Sequence, residues 1–293
     1  MSEDLVTFGN VPQPDEATAR AAIIPAPLEA TVSWGEGTAL GPASIMNASA
    51  NLELYDEVLE QETYLQGILT RPAVDVSGGV APTLDRLQRA VAAELDAGRL
   101  PVVVGGEHSL TLGVLRAMVA KHGNDFTVLS LDAHLDLRQE YEGDPLSHAC
   151  AMKRALDLGL KVRHLGVRSC SVEEAQLVRE LGLTPMWAHQ VHADPDWLPK
   201  SLAGIEGPVY LTLDVDGFDP AVIAATGTPE PGGLFWPQVT AWLTAVCRRH
   251  RVLGIDVVEL APMRSHPASD FTCAKLIYRA IGLALKERSD ARL

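Results

Sequence analysis

Cysteine and basic residues are scarce in this chain of 293 residues. The four cysteines are scattered and form no CxxC pair, which argues against a disulfide framework and against a structural zinc site. Lysine and arginine together number 24 against 38 acidic residues, giving a formal net charge of −14. Such a charge repels phosphate backbones, so nucleic acid is not expected as a partner. The same acidity favours cationic small molecules and metal ions.

Long apolar runs are also missing. No stretch approaches the roughly 20 apolar residues of a membrane helix, and the acidic N-terminus lacks the apolar segment of a signal peptide. We therefore expect a soluble cytoplasmic protein with no membrane partner. No internal repeat and no Pro/Gly/Ser-rich linker divides the sequence, so residues 1–293 are interpreted as a single domain.

Short apolar runs rich in β-branched residues alternate with segments of helical periodicity. The runs predict strands at 21–26, 101–104, 126–131, 162–167, 209–213 and 252–258, with a weaker candidate at 72–76. Helices are predicted at 42–60, 83–98, 109–122, 147–159, 172–181, 236–250 and 269–287. This alternation indicates an α/β fold, a three-layer αβα arrangement with a mainly parallel central sheet. Functional residues are expected just beyond the carboxyl ends of its strands.

Carboxylates and histidines follow three of these predicted strands. Asp132, His134 and Asp136 alternate after one strand, so they share a side of an extended chain. Asp214 and Asp216 repeat the pattern after a second strand, and His108 follows Gly105-Gly106-Glu107 after a third. Taken singly, His108 fits a turn residue and Asp-x-Asp fits a strand-end turn. Together they predict a metal centre.

The predicted centre places four carboxylates close together, which is costly in a low-dielectric site unless cations are present. Two divalent ions would balance that charge. A set of oxygen ligands with one histidine for each ion and no thiolate suits Mn²⁺, and Ni²⁺, Co²⁺ and Fe²⁺ are compatible with it. An ion pair can lower the pKa of a shared water and so generate hydroxide near neutral pH. The expected reaction class is hydrolysis.

The ordered motifs GGEHS, LDAHLD, SHA, LDVDGFDP, ATGTPEPGG and IDVVEL resemble those of the ureohydrolases, the arginase and agmatinase family. The resemblance runs from about residue 21 to about residue 285 and is closer to agmatinase than to arginase. It implies an arginase-like fold, two Mn²⁺ per chain, a cationic guanidino substrate, and homotrimers or homohexamers. It also implies release of urea and an amine, which is putrescine when the substrate is agmatine, through attack by a metal-bridging hydroxide.

The resemblance also implies roles for individual residues. His108 and Asp136 match the ligands of one ion, His134 and Asp216 match those of the other, and Asp132 and Asp214 match the bridging carboxylates. Glu259 matches the carboxylate that binds the guanidinium, Thr228 a residue that supports it, and His148 the histidine that gives a proton to the leaving amine. Of these, His148, Glu259 and Asp136 are the predicted catalytic residues. Without the resemblance, His148 would be interpreted as a surface histidine after the helix cap Ser147. Two departures, Glu107 and Ala149, replace no ligand.

The sequence is compatible with several guanidino substrates that differ in the group at the end of their tail. Glu140, Glu142 and Asp144 make the loop before His148 acidic, which favours a cationic tail such as that of agmatine or aminopropylagmatine. Trp34 and Glu36 are further candidate contacts. Arg138 could instead bind a carboxylate tail such as that of guanidinobutyrate, or it could merely neutralise its neighbours, and the acidic residues could form an ordinary solvated loop.

Three other functions share part of this pattern. A binuclear metallophosphoesterase requires GDxxD, GNH and GHxH motifs, which do not follow the DxH here. A single-zinc deacetylase on a similar fold would bind about one metal ion per chain instead of two. A ureohydrolase-like protein that binds without catalysis would be expected to have lost ligands, and all the ligand positions are present.

Overall fold

Most of the apolar, β-branched runs form strands of one eight-stranded sheet in the computed structural model, which describes residues 6–286. Its strands are β1 (Ala21–Ala26), β4 (Ile68–Thr70), β5 (Leu100–Gly105), β6 (Thr127–Leu131), β7 (Lys161–Val167), β8 (Met186–Trp187), β9 (Val209–Asp214) and β10 (Val252–Val258). They lie in the order β4-β1-β5-β10-β9-β6-β7-β8, and neighbouring strands run parallel. Two further strands, β2 (Tyr55–Asp56) and β3 (Gln61–Glu62), form a small antiparallel pair.

Helices cover both faces of the large sheet. They are α1 (Gly41–Ser49), α2 (Val80–Asp96), α3 (Thr111–His122), α4 (Ala151–Asp157), α5 (Val172–Glu180), α6 (Ala188–Ala193), α7 (Trp197–Ser201), α8 (Trp236–Arg249) and α9 (Pro267–Leu285). Alternate strand residues enter different cores, as period-two geometry requires. Ile23 packs in a core with α1, α8 and α9, whereas Ile24 packs in a core with α2, α3 and α4. The predicted three-layer αβα architecture is confirmed.

Two predicted elements are wrong. The segment 42–60 is not one helix: α1 ends at Ser49, and the chain then forms the β2–β3 pair. The weak strand at 72–76 has no regular secondary structure, and the neighbouring strand is Ile68–Thr70. The prediction missed this short strand because three apolar and hydroxyl residues carry too little periodicity. It also missed the short β8, α6 and α7.

The strand order brings the functional motifs to one edge. Strands β5, β10, β9 and β6 are consecutive neighbours, so their carboxyl ends meet at the same edge of the sheet. His108 follows β5, Glu259 follows β10, Asp214 ends β9, and Asp132 follows β6. Among residues 6–286, no helix is long and apolar enough to cross a membrane.

Candidate metal centre and substrate cavity

His108 stands at the centre of one group of carboxylates. Its Nδ1 lies 2.9 Å from Asp136 Oδ2, and 3.3 Å from Oδ2 of both Asp132 and Asp214. All four side chains are buried. His108, Asp132 and Asp136 form a group whose ligand atoms are close enough to hold a metal ion.

His134 organises the adjacent group. Its Nδ1 lies 3.0 Å from Asp216 Oδ2 and 3.6 Å from Asp132 Oδ1. Asp132, His134 and Asp216 form a second group able to hold a metal ion, so Asp132 is shared between the two groups. This sharing is what a bridging carboxylate requires.

Two buried atoms in this centre lack hydrogen-bond partners. They are Nδ1 of His108 and Oδ2 of Asp132, which lie 3.3 Å apart. An unsatisfied buried polar atom costs about 1–3 kcal/mol, so such atoms call for a partner. A cation between the histidine nitrogen and the carboxylate oxygens would supply it, and the oxygen and imidazole donors suit a divalent transition metal. The residues therefore fit a pair of metal ions.

The other ring nitrogen of His108 is held by a buried network. Nε2 lies 2.8 Å from Thr212 Oγ1, and Thr212 donates its own proton to Asp256 Oδ1 at 2.6 Å. Thr212 Oγ1 can therefore only accept from His108, which places the imidazole proton on Nε2. Tyr210 and Thr111 also donate to Asp256, at 2.5 and 2.8 Å. The network holds His108 through Nε2, so that Nδ1 faces the carboxylates of the centre and would be the atom that binds a metal ion.

The crowding of acids shifts several pKa values. Burial and the neighbouring Asp132 charge raise the pKa of Asp136 to about 6. Burial lowers the pKa of His134, but Asp216 and Asp132 outweigh it and raise that pKa to about 12. Before any metal binds, protons thus supply the positive charge that the centre needs.

Glu259 reaches the centre from β10. Its carboxylate accepts the backbone N–H of His108 at 2.6 Å, and burial raises the pKa of Glu259 to about 8. Glu259 and Asp136 both have left-handed backbone angles, with φ of 67° and 51°. Backbone strain of this kind is concentrated at functional sites, where the surrounding structure holds it in place.

One cavity of about 260 Å³ opens onto this centre. His108, His134, Asp136, Asp214, Asp216, Glu259, His148 and Thr228 line it, so the structure brings these predicted residues together. Thr228 donates to Asp216 Oδ2 at 3.3 Å, which is a contact to a predicted metal ligand. Burial lowers the pKa of His148, whose ring meets Tyr141 edge to face at 5.8 Å.

The predicted tail-binding residues lie elsewhere. The Trp34 side chain is 84% exposed, and neither Trp34, Glu140 nor Glu142 is among the residues that line this cavity. Glu140 lines an adjacent cavity of about 410 Å³, which shares Arg138, Ser171 and Glu174 with the first. Their roles in substrate binding stay predictions.

Three residues that support the site were not predicted from the sequence: Thr212, Asp256 and Arg168. Thr212 and Asp256 carried a usable signal, because polar residues inside the apolar strands β9 and β10 need buried partners. Arg168 carried no such signal in the sequence. Its guanidinium donates to the carbonyl oxygens of Asp216 and Glu230, at 2.6 and 2.7 Å, and so ties together the loops that hold Asp216 and Thr228.

The sequence pattern of the arginase family matches residues 19–282. The N(1)-aminopropylagmatine ureohydrolase of a Synechocystis species is 38% identical over 273 residues, covering 91% of this chain and 89% of the relative. The agmatinase of Pyrococcus horikoshii is 33% identical over 284 residues, covering 94% and 96% of the two chains.

Solved structures give the same fold. The agmatine ureohydrolase of Thermoplasma volcanium superposes with a TM-score of 0.89 at 28% identity, covering 99% of this chain and 98% of its own. The arginase of Medicago truncatula gives a TM-score of 0.80 at 25% identity, with 91% and 88% covered. The architecture of this chain is therefore arginase-like.

Proposed function

The chain belongs to the arginase family and is an agmatinase-like ureohydrolase, and from this premise we propose that it hydrolyses the guanidino group of an amine-tailed substrate to urea and an amine. The observation that carries the proposal is the shared Asp132 between two groups of potential metal ligands, with Glu259 lining the same cavity. Agmatine and aminopropylagmatine are the proposed substrates.

We propose Mn²⁺ as the metal, bound as a pair. His108 and Asp136 would hold one ion, His134 and Asp216 the other, with Asp132 and Asp214 between them. When bound, the pair would supply a water of lowered pKa as the nucleophile. The unpaired Nδ1 of His108 and Oδ2 of Asp132 support this assignment.

The chain's own residues then position the substrate. A guanidinium is planar and donates forked hydrogen bonds, which match the two oxygens of the Glu259 carboxylate. Fixing the guanidinium carbon beside the nucleophile can lower the barrier by up to about 7–11 kcal/mol. The departing amine needs a proton, and His148 lines the same cavity.

The second cavity supports a long cationic tail. Glu140, Glu173 and Glu180 line it beyond Arg138, Ser171 and Glu174, which it shares with the cavity at the metal centre. A substrate with a second amine, such as aminopropylagmatine, could extend into this acidic space. Arg138 favours the alternative of a carboxylate tail, as in guanidinobutyrate, although its guanidinium lies 5.2 Å from the Tyr141 ring centroid and 4.0 Å from Glu174 Oε2.

Urea release by the Mn²⁺-loaded protein tests the proposal. Agmatine, aminopropylagmatine, guanidinobutyrate, arginine and guanidine are compared at equal concentration, with the metal-free protein as control. The proposal expects turnover of the two amine-tailed substrates above the others. A protein that binds Mn²⁺ but releases urea from none of them would instead be a ureohydrolase-like binding protein.

A further inference from the structure

His148 is held through both ring nitrogens by one segment of the chain, residues 30–33. Thr31 Oγ1 lies 3.2 Å from Nδ1, and Ser33 Oγ lies 2.9 Å from Nε2. Thr31 Oγ1 also accepts the backbone N–H of His148 at 3.0 Å. The segment precedes His148 by more than a hundred residues, so only the fold creates these contacts.

Glu107 anchors that segment. Its buried carboxylate accepts the N–H groups of Ala30 and Thr31 at 2.5 and 2.7 Å, the Thr31 hydroxyl at 2.8 Å, and the Ser109 hydroxyl at 2.5 Å. Four donors converge on its two oxygens, so Glu107 acts only as an acceptor. The single hydroxyl proton of Thr31 is therefore donated to Glu107.

This donor arrangement favours one tautomer of His148. Because the proton of Thr31 Oγ1 goes to Glu107, only lone pairs of that oxygen face Nδ1, so this contact is a hydrogen bond only when Nδ1 carries the ring proton. Ser147 Oγ lies 3.3 Å from the same nitrogen, so Thr31 is the nearer of the two hydroxyls. In the neutral ring Nε2 is then an acceptor, which receives the Ser33 hydroxyl.

The cavity lies on the Nε2 side. Ser33 and His148 both line the cavity at the metal centre, whereas Thr31 is not part of its lining. The lone pair of the imidazole, which accepts the Ser33 hydroxyl, is therefore on the nitrogen that faces the cavity.

We propose that Thr31, fixed by Glu107, is a positioning residue that holds His148 as its Nδ1–H tautomer, and that Ser33 is the hydroxyl through which Nε2 exchanges protons. This inference rests on the proposed function. Nε2 takes up a proton that solvent water passes on through the exposed Ser33 hydroxyl, giving an imidazolium. As the carbon–nitrogen bond breaks and its electron pair moves to nitrogen, Nε2 passes that proton to the leaving amine and the ring returns to its neutral Nδ1–H form.

Thr31→Val tests the proposal, because valine keeps the shape and removes the oxygen. With agmatine, kcat should fall at least tenfold while KM and Mn²⁺ content stay unchanged. Thr31→Ser should recover kcat to within about threefold of the wild type. Thr18→Val, the same change on an exposed loop remote from the cavity, is the control. A Thr31→Val variant with wild-type kcat overturns the proposal.

A double variant separates positioning from a general structural role. If Thr31 acts through His148, adding Thr31→Val to His148→Ala should lower kcat no further. An additional loss as large as that in the wild-type background contradicts the proposal.

The ring tautomer is measured independently of activity. In metal-free protein labelled with ¹⁵N-histidine, and with His148→Gln used for assignment, Nδ1 of His148 should show the protonated shift and Nε2 the unprotonated one. The reverse pattern overturns the inference even in an active enzyme. If the protein shows the expected shifts but releases no urea, the tautomer assignment stands and the proposed function is refuted.

Discussion

The carboxylate of Glu259 accepts the backbone N–H of His108 at 2.6 Å, a contact between residues 151 positions apart. It joins the turn after β5 to the end of β10, so the predicted guanidinium-binding group and the predicted metal ligand are fixed to each other. A substrate held by Glu259 is thereby held at a defined place relative to the metal centre.

Glu259→Gln should retain Mn²⁺ and lose most of its turnover. The amide keeps one oxygen for the His108 N–H but loses the charge that pairs with a guanidinium. A hydrogen bond to a charged group contributes about 1.5–3 kcal/mol, so kcat/KM should fall by roughly ten- to a hundredfold or more. Steady-state urea release and metal analysis check both parts. Loss of Mn²⁺ would make Glu259 a ligand instead.

Asp214→Ala should lower the Mn²⁺ content below two per chain and abolish urea release. Asp214 Oδ2 lies 3.3 Å from His108 Nδ1, and alanine offers no ligand atom at this buried position. Metal analysis after dialysis against Mn²⁺ is the measurement. Asp96→Ala, which removes an exposed acid at the end of α2, is the control. Full metal content with normal turnover in Asp214→Ala would refute the bridging assignment.

Mn²⁺ affinity should rise with pH, because the ions must displace protons. The nearby carboxylates raise the pKa of His134 to about 12 in the metal-free centre, and burial raises that of Asp136 to about 6. At pH 7 His134 therefore holds a proton that Mn²⁺ must expel, and below about pH 6 Asp136 holds another.

The apparent affinity should increase by about tenfold per pH unit for each proton displaced, with a steeper dependence below pH 6. Calorimetry in two buffers of different ionisation enthalpy measures the protons released. Equal affinity at pH 6 and pH 8 without proton release would contradict the arrangement of charges described for the centre.

Glu140→Gln should raise KM for aminopropylagmatine more than for agmatine, and leave Mn²⁺ content unchanged. Glu140 lines the second cavity, where only the longer tail would extend. Losing one charge contact costs about 1–3 kcal/mol, or roughly tenfold in kcat/KM. Glu142→Gln is the matched variant, since Glu142 lines neither this cavity nor the one at the metal centre. Equal effects of the two changes would indicate that the overall charge of the loop, and not the lining of the cavity, determines KM for aminopropylagmatine.

Gly106→Ala should destabilise the fold strongly. A Cβ at this position would lie 1.9 Å from the Leu28 carbonyl oxygen, so the segment leading to Thr31 would have to move. We expect a loss of about 3 kcal/mol in the free energy of unfolding, at the upper end for overpacking.

Gly123→Ala is the control for this change. Gly123 has a φ of 73° but no atom near its would-be Cβ, so its cost of about 1–2 kcal/mol is that of the backbone alone. Urea denaturation compares the two variants. If Gly106→Ala lowers the free energy of unfolding no more than Gly123→Ala does, the chain from Leu28 to Thr31 can move at little energetic cost.

The sequence by itself determined the architecture and the ligand motifs. Alternating apolar strands and amphipathic helices specify parallel layers, and polar groups directly after buried strands specify the edge that carries the chemistry. The two groups of potential metal ligands around His108 and His134 were therefore predictable, because period-two spacing and burial act within a few residues. The end of α1 at Ser49 was not predictable, since the helical pattern of the sequence continues to residue 60.

Only the tertiary structure decided which distant residues support these motifs. Glu107 was a minor departure in the sequence, yet in the fold its carboxylate holds Thr31, and Thr31 faces His148. The substrate tail is a similar case, because loop charge suggested Glu140 and Glu142 alike while the cavities separate them. Such contacts depend on how loops from different strands meet in space, and hydrogen-bond directions at that meeting leave no periodic trace in the sequence.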